Sequence, residues 1–214
     1  MRHTPTLAAA LALLFTATSA HAEVGRGLEV AVAATYAVPT GHAQYATAPA
    51  GADPSAYGGR PTDFHGWYAA AVNMRVAIGW RVPAMFVGGY AQYGATATGW
   101  GCAAPTACDP GSYDTSAGVL ADFHLRPDRR VDPWIGLSFG MEYAGIVINP
   151  PGVTAGVASQ TAGWLGELRV GMDTPLGEGA IGGPYVAAAF GQFLNGGDGD
   201  HWWFSVGARV TYNP

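Results

Sequence analysis

Four side chains could do chemistry together if a fold gathered them: Ser138, His124, Asp122 and Glu142. A histidine oriented by a carboxylate can take the proton of a serine hydroxyl, and such a set carries out acyl transfer. Asp122 and His124 lie two apart in one alternating stretch, and Ser138 and Glu142 four apart in the next. On neighbouring strands they would share a face. The competing reading is a buried structural histidine, and it is the one adopted: an inward His124 would not meet an acyl chain. His42, His65 and His201 lie in or beside irregular stretches, and His3 and His21 lie near the N-terminus. Cys102 and Cys108 close a short loop that suits a disulfide in an exported chain. A two-cysteine metal site lacks a convincing set of further ligands apart from Asp109. No phosphate-cradling glycine loop, metalloprotease helix motif or nucleophile-elbow motif occurs. No catalytic, cofactor-binding or metal-ligating residue is therefore assigned.

What would position these groups begins behind a leader. Met1-Arg2-His3 is followed by an apolar run over 7–15 and by Ala20-His21-Ala22, which fits a signal peptide spanning 1–22. The apolar run is too short for a transmembrane helix, which needs about 20 residues. Residues 23–214 then form one domain by size. All ten basic residues are arginine, against fifteen Asp and Glu, a formal net charge of −5. No basic run offers a surface to a phosphate backbone, so nucleic-acid binding is disfavoured. Charged residues make up only 12% of the chain, about half the usual share of a soluble domain. There is too little charge to hydrate an ordinary protein surface.

The hydrophobic pattern has a period of two and predicts eight strands, at about 28–38, 67–81, 85–98, 115–126, 134–148, 161–172, 182–193 and 201–212. Three connections are compact (81–84, 127–133 and 173–180) and four are longer or irregular (39–66, 99–114, 149–160 and 195–200). Short turns at one end and long loops at the other are the habit of a transmembrane barrel. The last strand is the clearest: Trp202, Phe204, Val206, Ala208, Val210 and Tyr212 on one side, Trp203, Ser205, Gly207, Arg209 and Thr211 on the other. The third and seventh strands can be phased either way.

Alternation alone fits both a soluble barrel, apolar inside, and a membrane barrel, apolar outside. The polar rows decide between them. They are Gly, Ala, Ser and Thr with a few charges, which line a narrow lumen well and make a poor wet surface. Glu29, Asp122, Glu142 and Glu167 would then face Arg75, Arg169 and Arg209 inside, with Arg81 and Arg126 nearer the short turns. Charges facing a dry lumen demand partners, and an internal arginine–carboxylate network is expected, with Glu29 near Arg209 across the closing strands. Trp134, Trp203, Leu120 and Leu165 would plug the interior. Tyr36, Trp67, Tyr68, Trp80, Tyr90, Tyr93, Trp100, Trp134, Tyr143, Trp164, Tyr185, Trp202 and Tyr212 would supply aromatic belts at the two interfaces.

With leader, strand number, lumen charges and an aromatic final strand, the chain resembles the small eight-stranded outer-membrane barrels of the OmpA/OmpX type. That resemblance implies an all-β, eight-stranded antiparallel up-and-down barrel in the bacterial outer membrane. It also implies insertion from the periplasm by the outer-membrane assembly machinery, contact with outer-membrane lipid and lipopolysaccharide, and a monomer. In that group the final strand usually ends on an aromatic residue; here Tyr212 is followed by Asn213-Pro214. The architecture hosts adhesins, structural barrels, narrow pores and lipid-modifying enzymes, so it carries no activity across. The expected role is structural or surface-interacting and non-enzymatic, without cofactor. An extracellular partner would meet the loops 39–66 and 99–114, where His42, Tyr45, Tyr57 and Gly58-Gly59-Arg60-Pro61 lie. The alternatives are a narrow pore or small-ligand-binding barrel, a lipid-modifying hydrolase, and a soluble exported barrel.

Overall fold

The computed structural model describes residues 26–43, 62–63, 68–98, 113–148, 157–194 and 200–214. The expected leader, both cysteines, Trp67, Trp100 and most of the long connections lie outside the described residues. Within them the chain runs β1 (Gly27–Ala43), β2 (Thr62–Asp63), β3 (Tyr68–Val82), β4 (Met85–Thr98), β5 (Tyr113–His124), β6 (Asp132–Ile148), β7 (Val157–Gly177), β8 (Ala180–Phe193) and β9 (Asp200–Tyr212). Every long strand pairs antiparallel with its neighbours in sequence, and β1 also pairs with β9. The seam from Val30↔Tyr212 to Gly41↔His201 closes the sheet into an eight-stranded barrel. The two-residue β2 only extends the far end of β1.

The faces divide as a barrel in oil requires. Val76, Phe139 and Phe204 point outward and are 52%, 57% and 51% exposed, while Arg75, Glu142 and Arg209 are 5%, 0% and 4% exposed. Outward Leu137, Val119, Val186 and Val206 belong to the same apolar band. No helix of the described residues could cross a membrane; strands do so here. Placing this band in water would expose far more contiguous apolar surface than a soluble monomer shows, whereas a bilayer wets it at no such cost.

Two strands that the sequence left open are now phased. β4 turns Phe86, Tyr90 and Thr96 inward and Val87 and Tyr93 outward; β8 turns Tyr185, Ala187, Ala189 and Phe193 inward and Val186 outward. Tyr90, Trp134 and Tyr185 are consequently lumen residues, not belt residues: they are buried, and Arg75 lies over the Tyr90 ring with its Cζ 4.7 Å from the centroid. Exposed Tyr36, Trp80, Tyr93, Tyr143, Trp202 and Tyr212 do lie on the outer surface. Phe139, Trp164, Phe190 and Trp202, on four successive strands, make an arc of outer rings with neighbouring centroids 6.1, 5.4 and 4.9 Å apart.

The expected connection over 173–180 is much tighter than the sequence suggested. β7 continues to Gly177 and β8 starts at Ala180, leaving the turn Glu178-Gly179. Gly179 has φ of 65°, which a side chain would resist. A bulge between Pro175 and Gly177 absorbs the proline. The extension brings Asp173 inside the barrel, 1% exposed. β1 likewise continues past Pro39, which is fully buried, to Ala43.

Small inward residues make room for large ones. A Cβ on Gly171 would stand 2.5 Å from Trp134 Cζ2 and 2.7 Å from Tyr185 Cβ. Trp134 is fully buried and cannot yield. Gly171→Val is expected to destabilise the barrel by about 1–3 kcal/mol through overpacking, read as a lower urea midpoint after refolding into vesicles, while the same change at outward Gly89 should be near neutral.

Candidate functional site

The chemistry-bearing side chains meet in the lumen. Register sets their heights: Arg75 lies opposite Gln92 on β4, Asp122 opposite Gly136 on β6, and Gly136 opposite Arg169 on β7. Gly136 is the gap through which Asp122 and Arg169 touch, because a Cβ there would strike the Asp122 carboxylate and crowd Arg169 Nη2 at 3.1 Å.

A continuous chain of ion pairs follows. Arg75 donates through Nη1 and Nη2 to the two oxygens of Glu167 at 2.7 and 2.5 Å, and through Nε to Gln92 Oε1 at 2.9 Å. Arg169 Nε lies 3.1 Å from Glu167 Oε1 as an ion pair without hydrogen-bond alignment, and its Nη2 donates to Asp122 Oδ1 at 2.9 Å. Arg209 Nη1 donates to Asp122 Oδ2 at 2.5 Å, and its Nη2 and Nε donate to Asp173 at 2.6 and 3.2 Å. Arg209 also lies over Trp134, its Cζ 3.5 Å from the ring centroid. Two forked contacts, Arg75 on Glu167 and Arg209 on Asp173, use the planar fit of guanidinium to carboxylate. A buried charge is costly unless paired, and here Glu167, Asp122 and the guanidiniums of Arg169 and Arg209 each have more than one partner.

Two smaller clusters flank the chain. Toward the short turns, Arg81 Nη1 donates to Glu29 at 3.2 and 3.4 Å, and His124 Nδ1 meets Asp132 Oδ2 at 2.6 Å. Toward the long connections, His201 Nε2 meets Glu142 Oε2 at 2.7 Å and Trp203 Nε1 donates to Glu142 Oε1 at 3.2 Å, with Phe193 stacked on the His201 ring at 4.4 Å between centroids.

The internal arginine–carboxylate network thus forms, with different partners from one that was expected. Glu29 does not pair with Arg209. The seam sets Arg209 opposite Ala33, four residues along β1 from Glu29, while Glu29 lies opposite Gly79 and so reaches Arg81, two residues further on β3. His124 is inward and buried as expected, but its partner is Asp132 rather than Glu142 or Ser138. Register places His124 opposite Trp134, Ser138 opposite Leu120, and Glu142 opposite Ser116, so the serine–histidine–carboxylate alternative, set aside above for a buried structural histidine, is not assembled. Trp134, Trp203, Leu120 and Leu165 do fill the interior. Asp114, Asp132 and Asp173 are lumen residues that the sequence reading missed. Each lies at or near a predicted strand end, where alternation gives the weakest signal.

The voids found inside among the described residues are small. One void of about 20 Å³ lies between Thr35, Asn73, Gln92, Glu167 and Trp203, and another of about 10 Å³ lies between Ala33, Leu120, Asp122 and Arg209. Each is the size of about one water. Among the described residues no group of three or more His, Cys, Asp or Glu could hold a metal ion.

No protein-family model and no curated protein matches the chain. Solved structures do. Neisserial surface protein A is 12% identical, with 87% of this chain and 98% of that one covered and a TM-score of 0.53. Ail, the attachment invasion locus protein of Yersinia pestis, is 12% identical over 88% of this chain and 100% of that one at a TM-score of 0.43. The outer membrane protein OprG of Pseudomonas aeruginosa is 11% identical over 90% of this chain and 98% of that one at a TM-score of 0.42. At these identities the likeness to the Neisserial barrel is one of fold.

Arg209→Met would strand Asp173 in the lumen and leave Asp122 with Arg169 alone. It is expected to cost about 3–5 kcal/mol of unfolding free energy, against about 2 kcal/mol for Gln92→Leu, which removes the acceptor of one Arg75 N–H. Urea titration in vesicles measures both, and equal effects would refute the network as the stabilising element.

Proposed function

We propose that this chain is an outer-membrane barrel with a structural or surface-interaction role, not an enzyme and not an open pore. The observation that carries the reading is the row of ion pairs from Arg75 through Glu167, Arg169 and Asp122 to Arg209 and Asp173. These groups could bind an ion, and they are committed to one another. An eight-stranded barrel has an interior just filled by side chains, and Trp134, Trp203, Leu120 and Leu165 are among those that fill it. The outward apolar band supports residence in a bilayer, and the fold shared with the Neisserial surface protein is consistent with the outer membrane. Contact with a partner would fall to the connections 39–66 and 99–114, outside the lumen.

Three measurements test this. The protein is expected to stay with the membrane pellet in carbonate and to migrate differently on gels before and after heating. Release into the aqueous fraction would favour a soluble barrel. In planar bilayers no large, uniform open state is expected, and stable conductance steps would overturn the plugged lumen. Lipid A should emerge unhydrolysed; hydrolysis lost in His124→Ala would restore the enzymatic reading.

A further inference from the structure

The arginines of the described residues fall into two sets. Arg75, Arg81, Arg169 and Arg209 are buried in the lumen. Arg26, Arg126, Arg129 and Arg130 are exposed, and all four stand at the rim of the short turns, where the barrel's first and last strands also begin and end. Three of them share one connection, 125–131 between β5 and β6. Its only acid is Asp128. No ion pair among the described residues engages the three guanidiniums.

This connection is held in shape. Asp132 accepts from the backbone N–H of Arg126 at 3.0 Å while its other oxygen meets His124. Arg129 N–H donates to the Arg126 carbonyl at 3.0 Å, and Leu125 N–H to the Pro133 carbonyl at 2.8 Å. The buried His124–Asp132 pair, which the acyl-transfer reading could not use, is thus the anchor of an exposed basic turn. Leu125 and Val131 bracket the arginines and are 59% and 47% exposed. They continue the outward rows of Phe123 and Ile135, so the apolar band runs directly into the guanidiniums. Exposed Trp80 stands on the same rim.

We infer that the 125–131 turn binds the phosphate-bearing headgroups of anionic phospholipids in the leaflet on the short-turn side. This rests on the membrane-barrel reading above. Guanidinium matches phosphate in a forked geometry. The edge of the apolar band is where headgroup phosphates lie, and each basic residue near an anionic surface strengthens attraction by roughly fivefold at low salt. An acidic cell-wall peptide would answer the charge but leave Leu125 and Val131 unexplained, since these suit a partner that is oily beneath its phosphates.

The test compares the wild-type protein with R126Q/R129Q/R130Q, each refolded into phosphatidylcholine vesicles with and without about 30% phosphatidylglycerol. For the wild type, phosphatidylglycerol is expected to raise the urea midpoint at low salt, an effect lost at about 0.5 M salt. Native mass spectrometry should show phosphatidylglycerol retained over phosphatidylcholine. The triple variant is expected to lose most of the shift and to retain phosphatidylglycerol on the order of a hundredfold less; Arg26→Gln, outside the turn, should keep most of both. Should the triple variant refold poorly, Arg129→Gln and Arg130→Gln singly are expected to lower retention by roughly fivefold each. Insertion with no phosphatidylglycerol preference, or a preference unchanged in the variants, overturns the inference alone. Failure to insert into either vesicle overturns the membrane reading with it. Sedimentation with cell-wall sacculi that needs the three arginines, without a phosphatidylglycerol effect, would reassign the turn to an acidic peptide.

Discussion

Eight strands close around a space too narrow to hydrate a charge, yet four arginines point into it. From that constraint the rest of the interior follows. Each guanidinium must find a carboxylate at hydrogen-bond distance, and each carboxylate must be reached from a strand whose register brings it to the right height. Arg209 meets this by bridging β9 to both β5 and β7, and Arg75 by spanning from β3 to β7. Glycines at 136 and 171 are the spatial counterpart of these contacts: one clears a path for Asp122 and Arg169, the other a bed for Trp134. Trp134 in turn is the flat surface on which Arg209 lies.

The outside obeys the opposite demand with the same period. Because successive side chains alternate, a strand that places Arg75 inside must place Met74 and Val76 outside. The apolar band is therefore tied residue by residue to the ion pairs. A slip of one residue in any strand would turn a charge toward hydrocarbon and a valine toward a carboxylate.

This alternation is why most of the fold was legible in the sequence. Strands with a charge in one row, such as β3 with Arg75 and β9 with Arg209, could be phased at once. β4 and β8 could not, because Tyr90 and Tyr93, or Tyr185 and Phe190, occupy both rows and hydrophobicity does not distinguish them. The partners were less legible than the faces. Glu29 and Arg209 are both inward, but the stagger between strands decides who meets whom, and no local pattern encodes it. Asp173 was hidden for another reason: Pro175 and Gly177 read as a turn, while the chain uses a bulge to keep the strand going. The candidate catalytic set failed on register too, since the residue types were present but Ser138 and His124 face different neighbours.

The seam joins the first strand to the last, and the last brings Arg209. Until β9 arrives, Asp122 and Asp173 lack that cation, and β1 and β8 each have an open edge. A nascent chain cut short before residue 200 would carry both defects together. The final strand thus couples two closures: the same pairing that seals the sheet delivers the cation that neutralises its interior.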